Sequence, residues 1–372
     1  MGRGVVTRDR RTGSRRRAPQ RCVLPALFSP DPTVGHASAE GPSLEPGDSF
    51  SRDGVTIHFD RSEHLYDTWP TPTCIVSDGP YGIGGFPGDP PTVASLAEWY
   101  APHIEAWSRR SSPQTTLWFW GTELGWATVH PVLAANDWDY RCCHIWDKGV
   151  AHIAGNANSL TLRKFPVVTE VCVQYVMSMR FAVDGRRMSM REWLRHEWQR
   201  SGLPLSLTNE ACGVRNAATR KYFTQCHLWY YPPVEAFVRL SHYANQYGRA
   251  EGRPYFSMDG TRAISGPEWA RLRAKFNCEV GISNVWREPP VRGMERLKEK
   301  YRCVHNNQKP MGLMEIAIKA STDPGDVVWE PFGGLCTAAV VSHSLKRACV
   351  SAEIIPEYYL AARERLATYD AA

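Results

Sequence analysis

Two short stretches bring together residue types able to do chemistry. The first, IVSDGPYG, runs from Ile75 to Gly82. Its apolar residues lead into Asp78, followed by Gly79, Pro80 and Tyr81. Open α/β sheets bind ligands at the carboxyl ends of their strands, so an acid in this position faces a crevice. An exocyclic amine of adenine or cytosine is a poor nucleophile, because its lone pair is delocalised into the ring. Asp78 is placed to accept one amine hydrogen. The Gly79 carbonyl, held out by the fixed φ of Pro80, is placed to accept the other. Both bonds favour a more tetrahedral nitrogen, and Tyr81 offers a ring for stacking. The expected chemistry is methyl transfer to that nitrogen, carried by proximity and orientation and needing no metal.

The second stretch is EPFGGLCTAAVVSHSLKRACVSAEI, Glu330 to Ile354. A strand delivers Glu330 and Phe332 to a sharp Gly333-Gly334 turn, where a ligand can approach the backbone closely. Twenty residues past Gly333, Glu353 closes the next strand. A carboxylate there can accept both ribose hydroxyls of a nucleoside. Neither GxGxxG nor a phosphate loop with Lys-Ser/Thr is present, so a nucleoside without phosphates fits better, S-adenosylmethionine. The bland alternative is a structural strand-turn-helix corner.

Strands and helices must carry these residues. Val55–Asp60, Thr73–Asp78, Thr115–Gly121, Asp139–Gly149 and Val167–Val176 read as strands, with a helix around Ser95–Ser108. Toward the C-terminus, helix, strand, helix, strand and helix follow from KPMGLMEIAIKAST to PEYYLAARERLATY, the last with Pro356 in its first turn. This rhythm predicts an α/β fold with a mostly parallel, Rossmann-like sheet covered by helices on both faces. Residues 180–300 have a different texture. MSMREWLRHEWQRSG reads as a helix. LSLTNEACGVRNAATRKYF reads as helix, glycine turn and helix, which suggests a helix-turn-helix or a plain αα-hairpin.

The chain has 372 residues and a formal net charge of +6. The charge is segregated: residues 1–22 hold eight Arg and one Asp, and residues 180–300 hold 21 Lys and Arg against 12 acids. A basic middle suggests a polyanionic partner, an ordinary solvated surface being the alternative. The Arg-rich start with its Pro, Ser and Gly reads as a disordered tail to about Asp48. It also resembles a transit peptide, an idea that Asp9 does not help. Eleven cysteines without CxxC spacing suggest reduced thiols, no metal and a cytoplasmic setting. No run of eighteen apolar residues predicts a membrane span.

As a set, these stretches resemble the amino-group DNA methyltransferases. SDGPYG resembles their DPPY motif, EPFGGLCTA their DPFxGSGTT motif, and HNNQKPMGLMEIAIKAST their QKP helix. The order, catalytic motif first and cofactor motif last, is that of the β class. The resemblance covers roughly residues 55–180 and 285–372. It implies a catalytic loop of Asp78, Gly79, Pro80 and Tyr81. It implies an S-adenosylmethionine pocket of Glu330, Phe332, Gly333, Gly334 and Thr337. Glu353 would lie on the ribose, and Lys309 and Pro310 near the methionine end. Asp60 is either near the cofactor or a strand-end turn acid. The implied domains are a tail over 1–48, a catalytic half over 49–179, a target-recognition region over 180–299 and a cofactor half over 300–372. Arg215, Asn216, Thr219, Arg220 and Lys221 are the candidate contacts to double-stranded DNA, whose target base must be flipped out. A cognate restriction endonuclease is a candidate partner, with the chain itself a monomer or homodimer.

Three residues depart from the family pattern. Gly79 replaces the first proline, Glu330 replaces an aspartate, and Leu335-Cys336 replace Ser-Gly, where Cys336 would crowd the cofactor if φ is positive. Aspartate at the first motif position favours adenine N6 over cytosine N4. A noncatalytic DNA-binding module and an RNA or small-molecule methyltransferase are the competing readings. Intact Asp78 and Tyr81 argue against the first, and the charged middle against the second.

Overall fold

The computed structural model describes residues 44–369, apart from 85–87, 154–160, 184, 227, 251, 294, 300, 301 and 306. The basic tail expected over residues 1–48 therefore lies outside the described residues up to 43. Residues 44–48 pack on the sheet edge: Gly47 N–H donates to Phe59 O (2.9 Å) and Phe59 N–H to Asp48 O (2.7 Å).

In chain order the elements are β1 (Ser49–Arg52), β2 (Val55–Phe59), α1 (Ser62–Leu65), β3 (Cys74–Ser77), α2 (Leu96–Arg110), β4 (Thr116–Gly121), α3 (Glu123–Ala135), β5 (Trp138–Asp147) and β6 (Thr169–Met177). Then come β7 (Arg180–Val183), β8 (Arg186–Ser189), α4 (Met190–Arg200), α5 (Thr208–Ala211), α6 (Ala218–Tyr222), α7 (Val234–Tyr247), α8 (Gly266–Ala270) and β9 (Val285–Arg287). The chain closes with β10 (Lys298–Glu299), β11 (Arg302–Cys303), α9 (Met311–Ser321), β12 (Val327–Glu330), α10 (Thr337–Ser344), β13 (Ala348–Glu353) and α11 (Pro356–Thr368).

Nine described strands form one sheet in the order β1-β2-β13-β12-β3-β4-β6-β5-β9. The run from β2 to β4 is parallel throughout. β6 lies antiparallel between β4 and β5. Alternation along the strands divides the sheet into two faces. Trp118 and Trp120 of β4 pack with Leu313, Met314 and Ile318 of α9 on one face. Leu117 and Phe119 pack with Leu96, Tyr100, Ile104 and Trp107 of α2 on the other. Those α2 residues recur at helical spacing, which gives the helix its buried stripe. Both faces of the central parallel strands are covered, so β3, β4 and β12 are mostly apolar. β3 is buried along its whole length.

Residues 180–270 build a separate core of Phe181, Trp193, Trp198, Phe223, Phe237, Phe256 and Trp269. A reciprocal capping box of Ser189 and Glu192 starts α4. The region expected to be a helix-turn-helix contains α5, of four residues, and α6, of five, around Gly213 at φ +67°. β9, from the end of the expected recognition region, is an edge strand of the main sheet, parallel to β5. No described helix is long and apolar enough to cross a membrane.

Candidate active site

The parallel topology points β3, β12 and β13 in one direction and brings their carboxyl ends together. Asp78 follows β3, Glu330 ends β12 and Glu353 ends β13. A cavity of about 190 Å3 opens there, walled by both sequence stretches and by residues from the loop before α9.

Asp78 lies 23 % exposed beside Lys309, whose side chain is 3 % exposed. Lys309 Nζ donates to Asp78 Oδ1 (2.7 Å) and to the Tyr81 hydroxyl oxygen (3.0 Å). Tyr81 OH lies 3.1 Å from Asp78 Oδ1 and 3.1 Å from Glu170 Oε2. Burial pushes the Asp78 carboxyl up, against the pull of Lys309. Burial would lower Lys309, but Asp78 and Glu170 hold its ammonium above the usual range. Lys309, expected at the methionine end of a cofactor, lines the cavity and also bridges the catalytic motif. Pro310 is the N-cap of α9.

Gly79 has a packing reason. A Cβ at this position would lie 2.5 Å from the Tyr100 hydroxyl and 2.6 Å from the Phe332 ring. The first proline of the family motif would meet the same atoms. Phe332 fills the space that a stiffer residue would take, and Tyr100 OH donates to Pro80 O (3.2 Å) to hold the loop. Asp89 adds a second tether, accepting from Gly82 N–H (2.8 Å) and Ile83 N–H (3.1 Å).

Both glycines of the turn line the cavity. A Cβ on Gly333 would lie 2.8 Å from Cys336 Sγ and 2.8 Å from Ser351 Oγ, so its bare face belongs to the interior. Gly334 adopts φ +53°, and a Cβ there would meet His305 at 3.6 Å, across the cavity wall. Cys336 does have positive φ, +48°. Its thiol is fully buried and lies 3.4 Å from Ser351 Oγ, so it packs inward and does not crowd the cavity. A non-glycine residue in this conformation costs about 1–2 kcal/mol.

Glu330 is committed to its own helix. Its carboxylate accepts from Ala338 N–H (2.8 Å), Ala339 N–H (3.1 Å) and Ser351 OH (2.9 Å), which fixes β12 to the start of α10. Thr337 opens that helix, and its hydroxyl accepts from Arg365 (3.0 Å). Glu353 accepts from Gly334 N–H (2.6 Å) and Ile355 N–H (2.7 Å), and burial pushes it up to about 7. It lines the cavity with Phe332, Ile354 and Tyr358. Asp60 accepts from Arg61 N–H (2.6 Å) and contacts His64 Nδ1 (2.9 Å), as a turn acid does. The cavity wall beside it comes from Arg61, Ser62 and Glu63.

Sequence reading passed over Glu170, Glu63, His305 and Tyr358. His305 opens the HNNQKP stretch and Tyr358 lies in PEYYLAARERLATY, both read for other residues, while Glu63 and Glu170 stand in no motif. Arg215, Asn216, Arg220 and Lys221 are exposed. Thr219 is half-buried, and its hydroxyl bonds Thr208 Oγ1 (2.6 Å) and Leu205 O (3.2 Å). Arg215 and Asn216 precede α6, which Asn209 caps by accepting from Ala218 N–H (2.9 Å).

A family model described as DNA methylase matches residues 73–364. The DNA adenine methyltransferase YhdJ of Escherichia coli K12 is 39 % identical over 91 residues, which is 24 % of this chain and 30 % of that one. The Type II methyltransferase M.HinfI of Haemophilus influenzae is 36 % identical over 92 residues, 24 % of this chain and 26 % of that one. The chain thus matches under a third of the length of either relative. The structure of PvuII DNA methyltransferase, described as cytosine-N4-specific, shares the fold with a TM-score of 0.50 at 10 % identity, covering 85 % of this chain and 87 % of that one. With the match running from the strand before Asp78 into α11, the chain belongs to the DNA methylase family, whose methyl donor is S-adenosylmethionine.

Proposed function

We propose that this chain transfers a methyl group from S-adenosylmethionine to the N6 amine of adenine in double-stranded DNA. The observation that carries the reading is the state of Asp78. Oδ1 is held by Lys309 and Tyr81, while Oδ2 accepts no hydrogen bond among the described residues, at a cavity shared with Glu353. One oxygen is therefore fixed and the other is available to an incoming amine.

The wall residues suit the donor. The Glu353 carboxylate suits two ribose hydroxyls, and Phe332, Ile354 and Tyr358 suit an adenine ring. When bound, S-adenosylmethionine supplies an electrophilic methyl group on a sulfonium that leaves readily. The protein's own part is orientation and proton acceptance. Asp78 Oδ2 accepts one N6 hydrogen and the Gly79 carbonyl the other, which turns the lone pair out of the ring. Asp78 then takes the proton that the alkylated nitrogen releases. Pro80 and the Tyr100 bond keep the carbonyl in place. A base inside a duplex cannot reach this cavity, so it must be flipped, and the Tyr81 ring stacks on it. Exposed Arg215, Asn216, Arg220 and Lys221 then belong to the DNA-facing surface.

The test is nucleoside mass spectrometry of plasmid DNA from cells expressing the chain, beside Asp78→Ala. N6-methyladenine that falls at least about 10^3-fold in the variant is expected. N4-methylcytosine instead would overturn the choice of base. Absence of both, together with absence of S-adenosylmethionine binding, would leave a noncatalytic DNA-binding module.

A further inference from the structure

We propose that Glu170 is a positioning residue for this reaction: by sharing Lys309 and the Tyr81 hydroxyl with Asp78, it keeps the free oxygen of Asp78 aimed and basic. The inference rests on the reading of Asp78 as the amine's acceptor.

Glu170 stands near the start of β6, paired across the sheet with Trp146. It is 14 % exposed and carries no motif. Oε1 is ion-paired with Lys148. Oε2 lies 3.1 Å from the Tyr81 hydroxyl oxygen and 3.4 Å from Lys309 Nζ. Lys309 is thus one nearly buried cation between two carboxylates. If it answered Asp78 alone, the two charges would largely cancel where the amine needs an acceptor. With Glu170 present, Lys309 is divided between the acids, and Lys148 balances the second. Two acids and two bases leave the cluster neutral, which makes its burial tolerable.

The hydroxyl geometry supports the same role. Tyr81 has one proton and its oxygen already accepts from Lys309. It donates to Asp78 or to Glu170, never to both. Glu170 therefore competes for that proton, and a carboxylate that shares its donors in this way is a stronger acceptor at its other oxygen. Lys309 and Tyr81 still stop Asp78 from rotating.

The other titratable groups facing Asp78 are Tyr100 from α2 and Cys172 from β6. Burial pushes both well above their usual ranges, so they stay neutral. For Asp78 itself burial pushes upward, Lys309 pulls down, and Glu170 pushes up. Removing the Glu170 charge therefore makes Asp78 titrate lower, as a weaker base.

The test uses the full chain with Glu170→Gln, which keeps the shape and removes the charge. Two readouts are taken: kcat and KM across pH on duplex DNA, and the Asp78 carboxyl titration by 13C NMR, assigned with Asp78→Asn. The expected result is a kcat lower by about tenfold with KM changed by less than about twofold. The acid limb and the Asp78 midpoint move together to lower pH, and Glu170→Asp restores part of both. An unmoved Asp78 midpoint overturns the proposal, as does an unchanged kcat in an active wild type. The titration needs no turnover. A wild type that fails to methylate DNA sinks the functional reading, while the Asp78 midpoint still decides the role of Glu170.

Discussion

Asp78 in the sheet and Glu197 in the aromatic-cored region are both acids bound to cations, yet they are built for opposite ends. Glu197 is fully buried. Its oxygens accept from Arg200 (2.8 Å), Arg253 (2.8 Å) and Phe256 N–H (2.9 Å). The core of the same region stacks its aromatics closely, Phe237 on Trp269 at 3.9 Å between ring centres. Every strong bond it can make is made inside the protein. Asp78 has one oxygen held and one open to a cavity. The difference teaches how a buried acid is read: saturation marks a joint, and an unspent lone pair beside a cavity marks a reagent.

Substitution at Glu197 should give the largest stability change. Glu197→Ala leaves two arginines without their carboxylate, and urea unfolding should show a loss of about 3–5 kcal/mol. Asp78→Asn should lose no more than about 1 kcal/mol, because Lys309 keeps Glu170 as a partner. Equal losses at the two positions would break the contrast.

A second test asks how tightly the reagent side is packed. Gly79→Ala drives a Cβ into Tyr100 and Phe332. Thermal melts should register a destabilisation of about 1–3 kcal/mol, with activity lowered as the loop moves. Adding Phe332→Leu should return part of that loss. An additive double variant would mean that the ring does not hold the loop.

The smallest effect sharpens the picture at Glu353, a third acid that is half committed. It is held up at about 7 by burial, against the two N–H groups that favour its charge. Its ionised form is the better acceptor for ribose hydroxyls. S-adenosylmethionine affinity, followed by calorimetry, should therefore weaken as pH falls through about 7, approaching tenfold per unit below it. Glu353→Gln should bind more weakly and lose that dependence. A pH-independent wild type would remove Glu353 from the ligand.

The inner sheet strands were legible because a buried strand is a short apolar run closed by turn residues, a local property, while the edge strands β1 and β9 were not foreseen. Cys74–Ser77 and Val327–Glu330 fall where those runs end. The hairpin of β7 and β8, and helices α3 and α7, carried weaker local signals and were not foreseen. The five-residue α6 shows the limit of reading helix-glycine-helix texture. Asn209, whose side chain caps it, and Ala217, at φ +81°, stop it from becoming a longer rod.

The sequence by itself determined which residues end the strands, the order of the two motifs, and the presence of an acid and a ring after β3. These follow from spacing along the chain. Only the tertiary structure decided what the acids touch. Lys309 is 231 positions from Asp78, and Glu170 is 89 from Tyr81. They meet because β6 inserts antiparallel beside β4 and the loop into α9 crosses the same strand ends. Glu330 turned to its helix and Cys336 to the core for the same reason. A side chain's partner is set by which strands neighbour it in the sheet, and no local pattern in the chain encodes that order.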